Sequence, residues 1–410
     1  MTGNNTIVLD HNDTEAAITV RRLLDEGSRP SEPSLLSFRD VAAKVTTLRD
    51  LLDPQDIERP LSQGAARYDA DSGKLGFMFR GVEADAWETP MSFTANGYRQ
   101  FGHRVLGSGG ATKFISRQAS RGPSGRSMAE VNWAVELAAQ EGGVSRLRTI
   151  QLPGEPVRSI RAALSQAYGC YDNHNVLDAL LAADGIDDLH VVSAKVDEDA
   201  MRVRFLLDPQ HANLFDGSGK VTRDGLNMPL PMGELWNSET GHSSVRFRSG
   251  MWTARCTNML MNSWSTESDW RWFHRSGQDH AQRITDGLQG AIKSARLGAT
   301  GTIERYQRAA QVAVQDAAAM LRTWGGAVSL TAAVRNSAIE ALTDAVAVES
   351  PANSDGSATL ATVIDAVTWA AQGSGSLFAQ RDVERSASRL MTRGLRVAGS
   401  GNRAIATEAL

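Results

Sequence analysis

Apolar residues recur every three or four positions from Ser37 to Leu52 (SFRDVAAKVTTLRDLL), where Val41, Val45, Leu48 and Leu52 share one side. That period predicts a helix, with Ser37 as its N-cap and Pro54 as its end. Ser92 to Leu106 and Ser127 to Gln140 read as amphipathic helices with Ser and Thr at their starts. KLGFMF at 74 to 79, after the turn signal Asp71-Ser72-Gly73, reads as a strand. From 147 to 207 the pattern shifts to strands, LRTIQL, VRSIRAAL, LHVVSAKV and MRVRFLLD, around a helix over Asn175 to Leu181. In MRVRFLLD, Met201, Val203 and Phe205 alternate with Arg202 and Arg204, which predicts a half-buried antiparallel strand. SSVRFRSGMW repeats the device, with Val245 and Phe247 opposite Arg246 and Arg248. Two strands thus each display a pair of arginines on one face.

Beyond about residue 277 the pattern is helical. Ile303, Tyr306, Ala310, Ala313, Ala317, Met320 and Trp324 form a heptad seam closed by Gly325-Gly326, read as a helix packed on its own chain in preference to an intermolecular coil. Helices over Leu330 to Val348, Thr359 to Ala371 and Arg381 to Val397 follow, with no internal repeat. The expected fold class is α+β, a central antiparallel sheet over about 147 to 252 flanked by helices, with an all-helical C-terminal part. Three regions are expected: residues 1–60, an acidic arm and first helix; 61–275, an α+β core; and 276–410, a helical region. A length of 410 residues, at about 150 residues per domain, agrees with two or three units.

Charge sharpens the first boundary. Residues 1–60 hold 11 acidic and 7 basic side chains and carry the whole formal charge of −4. Their first 33 residues lack periodicity and read as a loosely ordered arm. The chain has neither a basic start followed by an apolar core nor an apolar run of about 20 residues, so a cytoplasmic protein without membrane contact is expected. Two cysteines, Cys170 and Cys256, exclude a disulfide framework and a four-cysteine zinc site. Only six of the 43 basic residues are lysine, which with abundant Ala suggests a GC-rich bacterial or phage source.

Few constellations carry chemistry. GSGG at 107 to 110 follows a helix instead of a strand. Gly217-Ser218-Gly219-Lys220 lacks the upstream glycine and following Ser or Thr of a phosphate loop, and Lys220 stands where a calcium loop needs an oxygen ligand. The eight histidines show no metal-site spacing, so neither metal nor cofactor is expected. Cys256 with His242 or His274 and Asn258 holds the residue types of a thiol nucleophile, but a buried structural cysteine is the commoner role.

The basic segments say more. Between Gly97 and Arg126 lie six cations, among them Arg99, Arg104 and Arg117, with no carboxylate and with Tyr98, Phe101 and Phe114 interleaved. Between Ser243 and Arg275 come Arg246, Arg248, Arg255, Arg271 and Arg275 with four tryptophans, including Trp252 and Trp270. Cations for phosphates beside aromatic faces for bases suit single-stranded DNA, and the near-neutral total points to a local groove. In that expectation Arg202, Arg204, Arg246 and Arg248 contact phosphates from one sheet face, Arg99, Arg104 and Arg117 extend the groove, Arg255 adds to it, and Trp252 or Trp270 stacks bases. Buried tryptophan and Arg–carboxylate pairing explain the same composition structurally.

RAALSQAYGCYDNHNVLDALL at 161 to 181 resembles a signature of the phage and plasmid-like proteins grouped as domain of unknown function 932, through Arg161, Ser165, Tyr168, Asp172 and Asn173. LWNSETGHSSVRFRSGMWTARCTNMLM at 235 to 261 is similar to the second signature, with Asn237, Ser238, Glu239, Gly241, Arg255, Cys256 and Asn258; Met259 stands where Gly or Thr is usual. Weaker similarity covers roughly residues 90 to 395. The resemblance implies carriage on phages and plasmids and no established reaction. Structurally, Asn237 to Gly241 reads as a turn with Glu239 pairing Arg255, while Tyr168, Asp172 and Asn173 cap the following helix.

The leading expectation is a non-enzymatic, homo-oligomeric phage or plasmid protein that binds single-stranded DNA in recombination or replication. The alternative is a phage factor that docks on a host protein through the helical C-terminal region. A nucleic-acid enzyme using Glu239, Asp172 and His242 ranks last.

Overall fold

The computed structural model describes residues 6–9, 36–69, 74–81, 88–106, 125–141, 146–151, 157–165, 167–186, 188–197, 200–214, 228–253, 256–261, 269–275, 280–344, 348, 351–374, 376–399 and 404–405. The protein is α+β, with an antiparallel sheet and helices concentrated in the C-terminal part.

The chain opens with β1 (Thr6–Leu9) and β2 (Leu36–Ser37), then α1 (Phe38–Leu52). Ser37 caps α1 as its sequence predicts: its Oγ accepts from the Asp40 N–H at 3.0 Å, and Asp40 Oδ2 accepts from the Ser37 N–H at 3.2 Å. Asp53, in the left-handed region at φ 40, ends the helix before Pro54. The expected loose arm is at least partly paired, because β1 lies antiparallel to a strand of the main sheet, Thr6 opposite Asp197.

A smaller unit follows, from β3 (Gln55–Ile57), the hairpin of β4 (Gly64–Asp69) and β5 (Lys74–Phe79), β6 (Ser92–Phe93), α2 (Ala95–Leu106), α3 (Gly125–Glu141), β7 (Arg146–Ile150) and β8 (Ser159–Leu164). β3, β7, β8 and β6 form a four-stranded sheet in that order, and Phe77, Phe79, Phe101, Val135 and Ile160 share its core. The single sheet expected over 147 to 252 is therefore two, because the first two strands of that stretch pair with β3 and β6. α2 lies hard against β8: a Cβ on Gly97 would fall 1.9 Å from the Ile160 carbonyl oxygen.

After α4 (Asn173–Leu181) come β9 (His190–Asp197), β10 (Met201–Leu206), β11 (Leu230–Asn237), β12 (Val245–Thr253), β13 (Cys256–Met261) and β14 (Asp269–Trp272). The main sheet runs β1-β9-β10-β11-β12-β13, all antiparallel, with β2 also on β9 and β14 also on β12. One face presents Val203, Phe205, Leu235, Val245 and Phe247 to a core shared with α1, α4 and the start of the next helix. Gly233 lets the Phe205 and Phe247 rings close over β11, since a Cβ there would lie 2.6 Å and 2.8 Å from them.

The C-terminal part comprises α5 (His280–Ala310), β15 (Ala313–Val314), α6 (Ala317–Ala327), α7 (Ala332–Ala341), β16 (Ala358–Thr359), α8 (Leu360–Ala370), α9 (Leu377–Gly399) and β17 (Ala404–Ile405). It departs from the expected all-helical form by a small sheet, β16-β15-β17. The continuous seam from Ile303 to Trp324 is also corrected: α5 stops at Ala310, and Asp316 caps a new helix by accepting from the Ala319 N–H at 2.8 Å. Val312 and Val314 favour the extended link and turn their side chains inward, leaving Ala310 and Ala313 exposed.

The expected boundaries at 60 and 276 do not separate cores. One apolar cluster joins α1, α4, the main sheet and Ile284 to Ala295 of α5, while Tyr306 and Ala309 of the same helix enter the C-terminal core. Among the described residues no helix is long and apolar enough to cross a membrane.

Candidate functional site: two motif segments and an arginine-rich sheet face

The segments 161–173 and 237–242, more than 60 residues apart, meet at one buried polar node. Arg161 leaves β8 with Nη1 2.9 Å from Glu239 Oε2, and the Asn173 N–H, at the start of α4, donates to Glu239 Oε1 at 2.6 Å. Asn237, at the end of β11, donates through Nδ2 to the Tyr171 carbonyl at 3.0 Å and to Asn173 Oδ1 at 2.9 Å. The Tyr168 hydroxyl donates to the Ser238 carbonyl at 2.8 Å. Gly241 makes the turn at φ 81, close to Leu164 and Tyr168. The expected partner of Glu239, Arg255, lies outside the described residues, and the carboxylate pairs with Arg161 instead.

Arg148 of β7 stands beneath this turn. Its Nε donates to Asp56 Oδ1 at 2.8 Å, its Nη1 to the Glu239 carbonyl at 3.1 Å, and its Nη2 lies 2.6 Å from Asp172 Oδ1. Burial opposes its charge, but Asp172, Glu239 and Asp56 outweigh burial and hold the guanidinium firmly protonated. Burial pushes the Cys170 thiol up to about 11 although Arg148 opposes it, so Cys170 is a thiol at neutral pH and a poor nucleophile. His274 stacks on Tyr168 with centroids 5.0 Å apart. Burial pulls it down to about 4, so it is neutral at pH 7, with Nδ1 3.2 Å from the Gly169 carbonyl. His242 reaches Asn96 and Gln100 of α2.

Chemically the node is built on arginine–carboxylate pairs, with Arg161 Nε and Asn237 Oδ1 left without a hydrogen-bond partner among the described residues. Asp172 and Glu239, two of the residues considered for an enzyme, are each paired with an arginine. His242 is bonded to α2. Among the described residues no group of three or more His, Cys, Asp or Glu gathers as a metal site. The node ties α2, β7, β8, α4 and β11 together.

The second constellation is the face of the main sheet opposite its apolar core. Register puts Lys195, Arg202, Trp236, Arg246 and Arg271 in one cross-strand row, and Arg204, Glu234, Arg248 and Asp269 in the next. Both expected arginine pairs therefore do share a face, but it is covered. Arg202, Arg204, Arg246 and Arg248 are buried beneath α9, whose Glu384 lies 2.6 Å from Arg204 Nη2. Glu234 Oε2 accepts from Arg204 Nε at 2.8 Å, and Glu234 Oε1 from Trp236 Nε1 at 2.6 Å. The half-buried β10 and the open phosphate-binding face are thus corrected: a helix 180 residues downstream supplies a carboxylate and closes the face.

The remaining expected residues divide by exposure. Trp252 is buried with Val192, Leu206, Leu230 and Met232, and Trp270 packs into the core with its ring against Gly287 of α5; neither stands clear for a base. Arg99 and Arg104 are exposed on α2. Arg117 lies outside the described residues, as do the side chains of Cys256 and Asn258. Ser165 is half-buried where β8 leads into the node.

Sequence reasoning weighed Arg271 and Arg275 only as part of a composition, and it missed Phe273. At the edge of the sheet Arg271, Phe273 and Arg275 alternate outward, Phe273 at 56% exposure with the Arg275 guanidinium 6.0 Å from its ring centre. Arg275 pairs through its backbone with Tyr168. The readable signal was the period-2 pattern Trp270-Arg271-Trp272-Phe273-His274-Arg275. Comparison with protein-family models, curated proteins and solved structures finds no match to this chain.

Proposed function

We propose that the protein binds single-stranded DNA without turning it over, through the edge segment 269–275 and the adjoining face of α2. The observation that carries this reading is the exposed Arg271-Phe273-Arg275 alternation, with the Arg275 guanidinium 6.0 Å from the Phe273 ring centre. An exposed ring beside guanidiniums offers a base a stacking surface and its phosphates their counter-charges. Duplex DNA keeps its bases stacked on each other, so such a surface favours a single strand. A phage or plasmid context, with an oligomer acting in annealing during recombination or replication, rests on the motif resemblance to domain of unknown function 932 alone, since no family model matches the chain. The ion pairs around Glu239 and Asp172 support a binding protein over an enzyme. Docking on a host protein has less support, since an exposed Leu297 on α5 is ordinary for a helix surface.

Fluorescence anisotropy of a labelled single strand and its duplex, at low and moderate salt, tests the reading. Single-strand affinity that falls steeply with salt is expected, with a slope reduced by about one in Arg275→Ala. Absence of binding to either at low salt contradicts it.

A further inference from the structure

The covered sheet face holds more positive charge than its carboxylates balance. Asp269 is shared by three arginines: Arg246 grips it with Nη2 and with Nε, 2.6 Å from Oδ1, while Arg248 Nε lies 3.6 Å and Arg271 Nη2 3.8 Å away. α9 adds Arg381, whose guanidinium lies 5.1 Å from the ring centre of Trp236, the cross-strand neighbour of Arg246. It also adds Arg385; Asp382 lies 3.7 Å from Arg381 Nε and 3.8 Å from Arg385 Nη1, and the charge of Arg246 acts on both arginines. Burial, with those like charges, holds both below the usual arginine range. The other carboxylate beside them, Asp382, is 66% exposed, and Glu234 is committed to Arg204 and Trp236. Arg248 is only 6% exposed, and among the described residues its Nε and Nη2 meet no hydrogen-bond acceptor. Enclosed N–H groups on a cation are costly to leave open. Exposure rises from Arg248 through Arg246 and Arg381 to 36% at Arg385 and 45% at Arg271, so the cluster opens to solvent at the sheet edge.

We propose that this arginine cluster between β12, β14 and α9 binds a phosphate monoester dianion, a property beyond the strand binding proposed above. A monoester offers three terminal oxygens and two charges, which suits several guanidinium forks at once, whereas a diester offers two oxygens and one charge. The same chemistry belongs to free phosphate, to a small phosphorylated metabolite and to the phosphorylated end of a DNA strand.

The test is calorimetry of the full chain with inorganic phosphate and phenyl phosphate, against dimethyl phosphate and chloride at matched ionic strength. It is run at pH 8, where phenyl phosphate, with a second ionisation at about 6, is the dianion and inorganic phosphate is mostly so. Saturable binding of the two dianions is expected, about tenfold weaker for dimethyl phosphate and about tenfold weaker in Arg385→Met. Arg385 is exposed enough to be replaced without loss of fold, which a circular dichroism melt verifies. Heats that do not saturate, or an affinity in both Arg385→Met and Arg248→Met unchanged from that of the unsubstituted protein, overturn the proposal. Anisotropy with 5′-phosphorylated and 5′-hydroxyl oligonucleotides then separates the sources. A preference for the phosphate names the strand end; equal affinities beside saturable phosphate binding name a free ligand. Saturable phosphate binding with no oligonucleotide binding leaves this site standing and removes the DNA reading.

Discussion

Arg148 illustrates what a buried charge demands of its surroundings. Its guanidinium is almost fully enclosed yet touches Asp56, Asp172 and the Glu239 carbonyl, and the arrangement holds only while all three are present. Replacing it by Met leaves acceptors buried and unpaired, so Arg148→Met is expected to lose about 3–5 kcal/mol in urea unfolding. A loss below about 1 kcal/mol contradicts the node as described. His274 adds a pH dependence of definite sign. Its folded value near 4 lies below the ordinary 6.5, so the unfolded chain binds the proton first and stability falls as pH drops from about 6.5 towards 4. The expected slope is at most about 1.4 kcal/mol per pH unit. Urea midpoints of the protein and of His274→Gln over that window should converge as pH falls; parallel curves would show that His274 is not buried in its neutral form.

At the scale of elements, close approach and capping decide more than propensity. Gly97 and Gly233 admit no side chain, the first because α2 rests on the Ile160 carbonyl and the second because two phenyl rings close over it. Gly233→Ala is expected to cost about 1–3 kcal/mol by overpacking. Gly97→Ala is expected to cost more, because a backbone atom yields less readily than a ring; thermal melts of both rank them. The extent of α1 and its Ser37 cap were legible in the sequence because local spacing and a capping box specify them within a few residues. The strands of 190–206 and 245–253 were legible for the same reason. What covers them was not, because Val203-Arg204-Phe205 reads alike whether the arginines face water or a second polar layer. The deciding residue, Glu384, lies 180 positions away in an ordinary amphipathic helix. The heptad seam misled because Ile303 to Trp324 keeps its period across a break that Asp316 and the valines impose. In the node the residue types were visible, but the sequence pairs Glu239 with Arg255, and nothing in the spacing points to Arg161, which the fold brings there from another strand.

At the scale of the whole molecule, α5 and α9 join what the sequence divides. α5 spans 31 residues, about 46 Å of helix, and contributes to both large cores. α9 locks onto the main sheet through Glu384 and Arg204, each fully buried. Glu384→Leu leaves the buried Arg204 with Glu234 as its carboxylate and is expected to cost about 1–3 kcal/mol, whereas Arg204→Met leaves both Glu234 and Glu384 buried without their arginine and should cost more, about 3–5 kcal/mol; unfolding curves of the two variants rank them. With the sheet face closed in this way, the molecule's available surface for a strand moves to its edge, where Phe273 stands between Arg271 and Arg275. The most direct test of that account is anisotropy of a labelled single strand with the protein and with Phe273→Ala. The prediction is salt-sensitive binding that weakens by about 1–3 kcal/mol in the variant. Binding of equal strength in both proteins, or none in either, would contradict it.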